Sequence, residues 1–131
     1  MIIVNEPAIA SAAIKTVQKL WGMEYWMVNS HLYCLKFLKV IPGYRCSIHA
    51  HATKEETFLG LSGTLRLMVH RRDCGIAAEH AIHPGQSYTI RPEIFHSFRA
   101  CNVTWVMEVS THHDDRDVIR LEESRLLKEG E

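Results

Sequence analysis

Between residues 24 and 111, turn signals at Asn29-Ser30, Pro42-Gly43, Ser62-Gly63, Asp73-Cys74-Gly75 and Pro84-Gly85 cut the chain into short runs rich in aromatic and β-branched residues. Short runs of this kind separated by turn signals read as strands. The pattern predicts an all-β sandwich or barrel, with strands over about 24–28, 31–41, 45–51, 56–62, 64–70, 78–82, 87–91, 95–99 and 102–110. Before it, Ile9, Ala13 and Val17 recur at intervals of four with Ile14 beside them, which predicts a short amphipathic helix over Pro7–Leu20. After Thr111 the chain becomes highly charged, and Leu121 and Leu126-Leu127 supply the apolar contacts of a short helix or tail over 118–128.

A chain of 131 residues, 47% of them hydrophobic, suits one compact domain over 1–131 with its barrel core at about 24–111. Fifteen basic residues balance fifteen acidic ones. No chain-wide field therefore favours nucleic acid or an anionic membrane. The apolar start, Met1 to Val4, is cut short by Asn5 and Glu6 and lacks the flank of a signal peptide, and no stretch matches a membrane span. Cys34, Cys46, Cys74 and Cys101 form no Cys-x-x-Cys pair, so free thiols in a reducing cytoplasm are expected.

Among nine histidines, His49 and His51 stand one residue apart on an expected strand. Alternation puts both imidazoles on one face, with Cα atoms about 6.6 Å apart, so both can reach one ion. Glu56 lies at an odd offset from His51, so 52–55 must bend for it to face inward. His96 follows a bend marked by Pro92 and can close the set from a distant strand. Three imidazoles and a carboxylate suit a divalent metal (Zn, Fe(II), Mn, Ni or Co), and ligand type alone does not choose among them.

The frame Gly43-x5-His49-x-His51-x4-Glu56-x6-Gly63 resembles the first motif of the cupin superfamily at every fixed position. The frame Gly85-x6-Pro92-x3-His96 resembles the second motif more loosely, with spacing off by one, no glycine before the histidine and no asparagine after it. The resemblance implies a double-stranded β-helix, the cupin or jelly-roll barrel. Further pieces are similar to the sugar-isomerase branch, the cupin D-lyxose isomerases and the C-terminal domain of type II mannose-6-phosphate isomerases. They are Leu20 to Tyr25, Lys36, His49 to Phe58, Glu108 to Thr111 and Asp117 to Arg120. That likeness implies His49, His51, Glu56 and His96 as ligands, Lys54 beside them, and a small sugar or sugar phosphate as substrate.

Aldose–ketose isomerisation needs a base, a proton shuttle and stabilisation of oxyanion charge. Glu108 is the only acid in the apolar run Val103 to Val109 and is the candidate base; its blander role is an ion pair with Lys36 or Arg99. Lys54 is the candidate donor to a substrate oxygen. Lys36 and Arg120 are candidate substrate contacts, with ion pairing as the alternative. His112 and His113, adjacent on an extended chain, are expected at the surface, and Trp21, Tyr25, Trp26, Phe58 and Trp105 in the core or an interface. Two other functions stay open on these residues, an Fe(II)-dependent dioxygenase and a non-catalytic metal- or carbohydrate-binding module. Edge strands, the apolar N-terminal segment and the resemblance to cupins, whose sandwiches commonly pair their sheets, together imply a homodimer.

Overall fold

A computed structural model describes residues 13–131. They form strands β1 (Lys15–Lys19), β2 (Gly22–Asn29), β3 (Cys34–Val40), β4 (Tyr44–Arg45), β5 (Ile48–Ala50), β6 (Glu56–Ser62), β7 (Leu65–His70), β8 (Ile76–Ile82), β9 (Ser87–Ile90), β10 (His96–Ala100), β11 (Thr104–Ser110), β12 (Ile119–Glu122) and β13 (Arg125–Leu126). One antiparallel sheet has the order β1-β2-β3-β11-β6-β9. In the other, β10 pairs with β4 and β5 along one edge and with β7 along its other edge; β8 extends the β7 side, and β13 and β12 extend β4 and β5. The expected runs all become strands. The run at 45–51 is broken in two at Cys46-Ser47, and the run at 31–41 begins at Cys34 because Ser30 Oγ accepts from the Leu32 and Tyr33 amides and closes a turn.

Alternation sorts the side chains. Residues directly opposite on paired strands share a face. The inner rows of the two sheets meet in a core built around Trp21, Leu38, Phe58, Leu67, Phe98 and Val106. Trp21 and Phe98 meet edge to face at 4.9 Å, and Phe58 and Phe98 at 5.9 Å, a geometry that favours the aromatic quadrupoles. The core fills one end of the space between the sheets, and the polar rows described below lie toward the other.

Two expected helices are corrected. Residues 15–19 are strand β1, which runs antiparallel to β2 with Lys15 opposite Trp26 and Val17 opposite Glu24. The part of the helix expected over 7–12 lies outside the described residues. A spacing of four fits a period of two as well as one of 3.6, so the pattern that predicts a helix is equally that of a strand. The C-terminal segment likewise forms β12 and β13 rather than a helix. The open edge of β4 and β5 offers unpaired backbone groups, and pairing with them outweighs the local preference of a short charged segment.

Gly22 stands where β1 turns into β2. Its φ is +149°, and a Cβ there would sit 1.7 Å from the Lys39 carbonyl oxygen. Gly22→Ala therefore forces apart the backbones of β2 and β3, and a loss of about 2 kcal/mol or more of stability is expected in equilibrium denaturation.

Candidate metal centre and cavity

His49 of β5 lies directly opposite His96 of β10, and on its other side opposite Arg120 of β12, so all three share the inner face. His51 follows His49 on that face, and the turn at 52–55 returns the chain so that Glu56 opens β6 pointing inward from the other sheet. That turn is held by Asp117. Its carboxylate accepts from the amides of Ala52 at 2.7 Å and Lys54 at 3.0 Å and from the Thr53 hydroxyl at 2.8 Å. These bonds help hold the Asp117 carboxyl below its ordinary pKa, against the opposing effect of burial.

The donor atoms of His49, His51, Glu56 and His96 lie within 4.8 Å of one another. Each imidazole is oriented from behind: Nδ1 of His49 donates to Ser47 O at 2.9 Å, Nδ1 of His51 to Asp117 O at 2.6 Å, and Nδ1 of His96 to Ile94 O at 2.9 Å. A carbonyl only accepts, so in the neutral ring the proton sits on Nδ1 and the Nε2 lone pair points into the site. Burial pushes His49 down to about 3, helped by His96, and lowers His51, which keeps both rings neutral.

His96 Nε2 and Glu56 Oε1 are then two acceptors only 2.7 Å apart, buried, with no hydrogen bond satisfying either. That separation is close to the roughly 3 Å between two donors that each lie about 2.1 Å from one ion. Orphaned acceptors, together with a donor set of three neutral imidazoles and one carboxylate, suit a divalent metal. Burial acts to raise the Glu56 carboxyl, but the Lys54 ammonium 3.2 Å away opposes it, and the group is held well below the usual carboxylate range.

Beside the cluster, register brings together a charged row on the six-stranded sheet. Lys15, Trp26, Lys36, Glu108 and Phe58 stand opposite one another on β1, β2, β3, β11 and β6. Lys36 and Lys54 are 1% and 3% exposed, so both ammonium groups are withdrawn from bulk water. Lys54 Nζ bridges Glu108 Oε2 at 3.1 Å and Glu56 Oε2 at 3.2 Å, and Lys36 Nζ lies 3.8 Å from Glu108 Oε2. Burial raises the Glu108 carboxyl, with Glu56 adding to it and the two lysines opposing. Lys54 is disfavoured as a cation by burial, yet Glu108 and Glu56 outweigh that and raise it. Arg99, the other expected partner of Glu108, is on the opposite sheet with its side chain facing outward.

These groups line a cavity of about 540 Å³, the size of a small-molecule site, together with Arg120, Trp26 and His113. Two expectations change here. His113 belongs to this cavity and not to the outer surface, since its Nδ1 accepts from Lys54 Nζ at 3.1 Å and Lys36 Nζ at 3.2 Å. Ammonium groups only donate, so His113 carries its proton on Nε2, which donates to Asp115 Oδ1 at 2.8 Å. Burial and the two lysines push His113 down to about 4. Trp26, expected in the core or an interface, lies beneath Lys36 Nζ at 4.0 Å and Lys15 Nζ at 4.4 Å in cation–π contacts. Neither carried a local sequence signal: Trp26 is set opposite Lys36 by the pairing of β2 with β3, and His113 is turned inward by the loop that follows β11.

No protein-family model matches the chain. Among solved structures, an oxalate decarboxylase variant from Bacillus subtilis superposes with a TM-score of 0.70 at 14% identity, covering 82% of this chain and 30% of that one. KdgF from Halomonas sp. superposes with a TM-score of 0.66 at 11% identity, covering 80% and 90%. With the two sheets and the first motif complete, these likenesses decide the fold. The chain has the cupin fold. In sequence, the chain is 32% identical to a D-lyxose/D-mannose isomerase of Thermosediminibacter oceani, over 70% of its own length and 63% of that protein's. It thus spans less than two thirds of that relative. Among the described residues, no helix is long and apolar enough to cross a membrane.

Asp117 supports the cluster twice, through its carboxylate on the turn and its carbonyl on His51. Asp117→Ala is expected to weaken divalent-metal affinity about 10- to 100-fold, read by competition with a chromogenic chelator, while the far-ultraviolet dichroism stays that of the parent.

Proposed function

We propose that this cupin is a metal-dependent aldose–ketose isomerase or epimerase acting on a small sugar or sugar phosphate. The observation that carries the reading is the Glu108 carboxylate, buried at the cavity wall with the Lys54 ammonium 3.1 Å away, beside the cluster of three histidines and Glu56. The 32% identity with a D-lyxose/D-mannose isomerase supports the same class.

In this reading His49, His51, Glu56 and His96 hold the ion. A divalent metal bound there supplies positive charge that polarises a substrate carbonyl and steadies oxyanion charge on the adjacent oxygens. Glu108 takes the proton from the carbon next to the carbonyl and returns it to the neighbouring carbon, which converts aldose to ketose through an enediolate. Its burial raises its basicity above that of a solvated carboxylate. Lys54 donates to the substrate oxygen on which charge develops and shuttles the hydroxyl proton. Lys36 holds Glu108 in place from the neighbouring strand and meets substrate hydroxyls, and Arg120, in register with His49, meets the far end of the substrate or its phosphate. The enclosing walls of Trp26, Leu38 and Phe98 limit water around the enediolate. The reading extends to a homodimer, and a single-chain mass in light scattering would refute that part.

Two outcomes test the reading. His49→Ala is expected to abolish stoichiometric metal binding, and full occupancy in that variant would overturn the ligand assignment. With metal restored and a panel of sugars and sugar phosphates supplied, solvent deuterium is expected to enter at the carbon beside the carbonyl. Glu108→Gln should lower that exchange by about 10²-fold or more while metal stoichiometry stays the same. Oxygen uptake by iron-loaded protein, with no exchange on any sugar, would replace this reading with the dioxygenase one.

A further inference from the structure

The outer face of β10 carries a second charged row that the metal cavity does not use. His96 and Phe98 point inward, so Ser97 and Arg99 point outward. Arg99 stands directly opposite Arg66 of β7 on one side and Arg45 of β4 on the other, and Arg45 stands opposite Arg125 of β13. Four guanidinium groups therefore form one line across four neighbouring strands. Like charges opposed in this way repel, and the row is stable only with anions set against it.

The carboxylates present do not suffice. Glu79 pairs with Arg66 at 3.0 Å, Glu122 with Arg45 at 3.0 Å, and Glu131 with Arg125 at 2.9 Å. Among the described residues Arg99 has no hydrogen-bond or ion-pair partner, and the buried Nε atoms of Arg99 and Arg45 have no acceptor. Arg45 is only 5% exposed. Glu122 supplies its counter-charge and the Glu123 carbonyl accepts from it at 3.1 Å, so Arg99 is the guanidinium of the row left without a carboxylate. Among the described residues, Arg45, Arg99, Arg125 and Lys128 line a second cavity of about 310 Å³, in which Glu122 and Glu131 are the acids. Four cations against two carboxylates leave an excess of two positive charges. His70 at the same wall is engaged with Ser97 Oγ and the Cys74 carbonyl and adds no free donor.

We propose that this outer cavity is an anion site for a small metabolite bearing a doubly charged oxyanion, phosphate or a pair of carboxylates, on the reverse side of the sheet that presents His96. The anion sits between Arg99 and Arg45, whose planar forks match phosphate and carboxylate oxygens, and Lys128 closes over it. Ile48, Met68 and Leu127 on the walls take the carbon body of the ligand. The site is separate from the metal cavity, because its residues face the opposite side of β10 and β4.

Inorganic phosphate and succinate, titrated calorimetrically at low ionic strength, test this on the His49→Ala chain, which removes binding at the metal cluster. One equivalent of either anion is expected to bind that variant, and adding Arg99→Gln is expected to weaken it about tenfold or more. Phosphate alone binding identifies a phosphorylated ligand; succinate alone identifies a dicarboxylate. Arg66→Gln, whose side chain lies outside the cavity, should leave the affinity unchanged, and it controls for loss of charge in general. Should Arg99→Gln unfold the chain, Lys128→Gln serves as the second variant. Absence of saturable binding at millimolar anion, or equal affinity with and without Arg99, would overturn the proposal.

Discussion

Strand register is the constraint on which this molecule depends. One antiparallel pairing, β5 against β10, sets His49 opposite His96, and a second, β11 against β3, sets Glu108 opposite Lys36. A slip of one residue in either would turn every side chain of that strand to the other face. The cluster of three histidines and Glu56 would then be broken, and Lys36 would leave the cavity. The tightly filled end of the sandwich, where Trp21, Phe58 and Phe98 interlock, guards against such a slip, because the slip would also expose those rings. Core packing and site geometry are thus two consequences of the same alternation.

The polar interior is stable because its charges answer one another. Lys36 and Lys54 are buried cations set against the buried carboxylates Glu56 and Glu108, with His113 accepting from both lysines. Removing any member would strand a partner away from water, which costs far more than the pair contributes. The same demand for compensation explains why the three imidazoles of the cluster each rest on a backbone carbonyl. An imidazole held from behind keeps its lone pair forward, and the cluster needs little rearrangement to receive an ion.

A good part of this was legible in the chain. Turn signals and alternating apolar residues marked the strands from 24 to 110, and the spacing of His49, His51 and Glu56 implied a same-face pair followed by a bend. Glu108 and Lys36 stood out as charges inside apolar runs, and both prove to be buried in the cavity. The N-terminal segment, expected as a helix, and the C-terminal one, expected as a short helix or tail, depart from expectation for different physical reasons. An interval of four is compatible with both periods, and the segment after 118 has no strand pattern of its own, since it is the free edge of β4 and β5 that makes it a strand.

By itself, then, the sequence determined the class of fold and the chemical identity of the site, because alternation and turn chemistry are local and a His-x-His pair converges on any strand. Only the tertiary structure decided what surrounds that site. The Asp117 brace on the 52–54 turn, the seating of His113 between two lysines, and the opposition of Arg45 to Arg99 on the reverse face join residues as much as 77 positions apart, on strands and turns whose register no local pattern encodes. Such contacts arise from pairing and chain return, and those exist only once the sheets have formed.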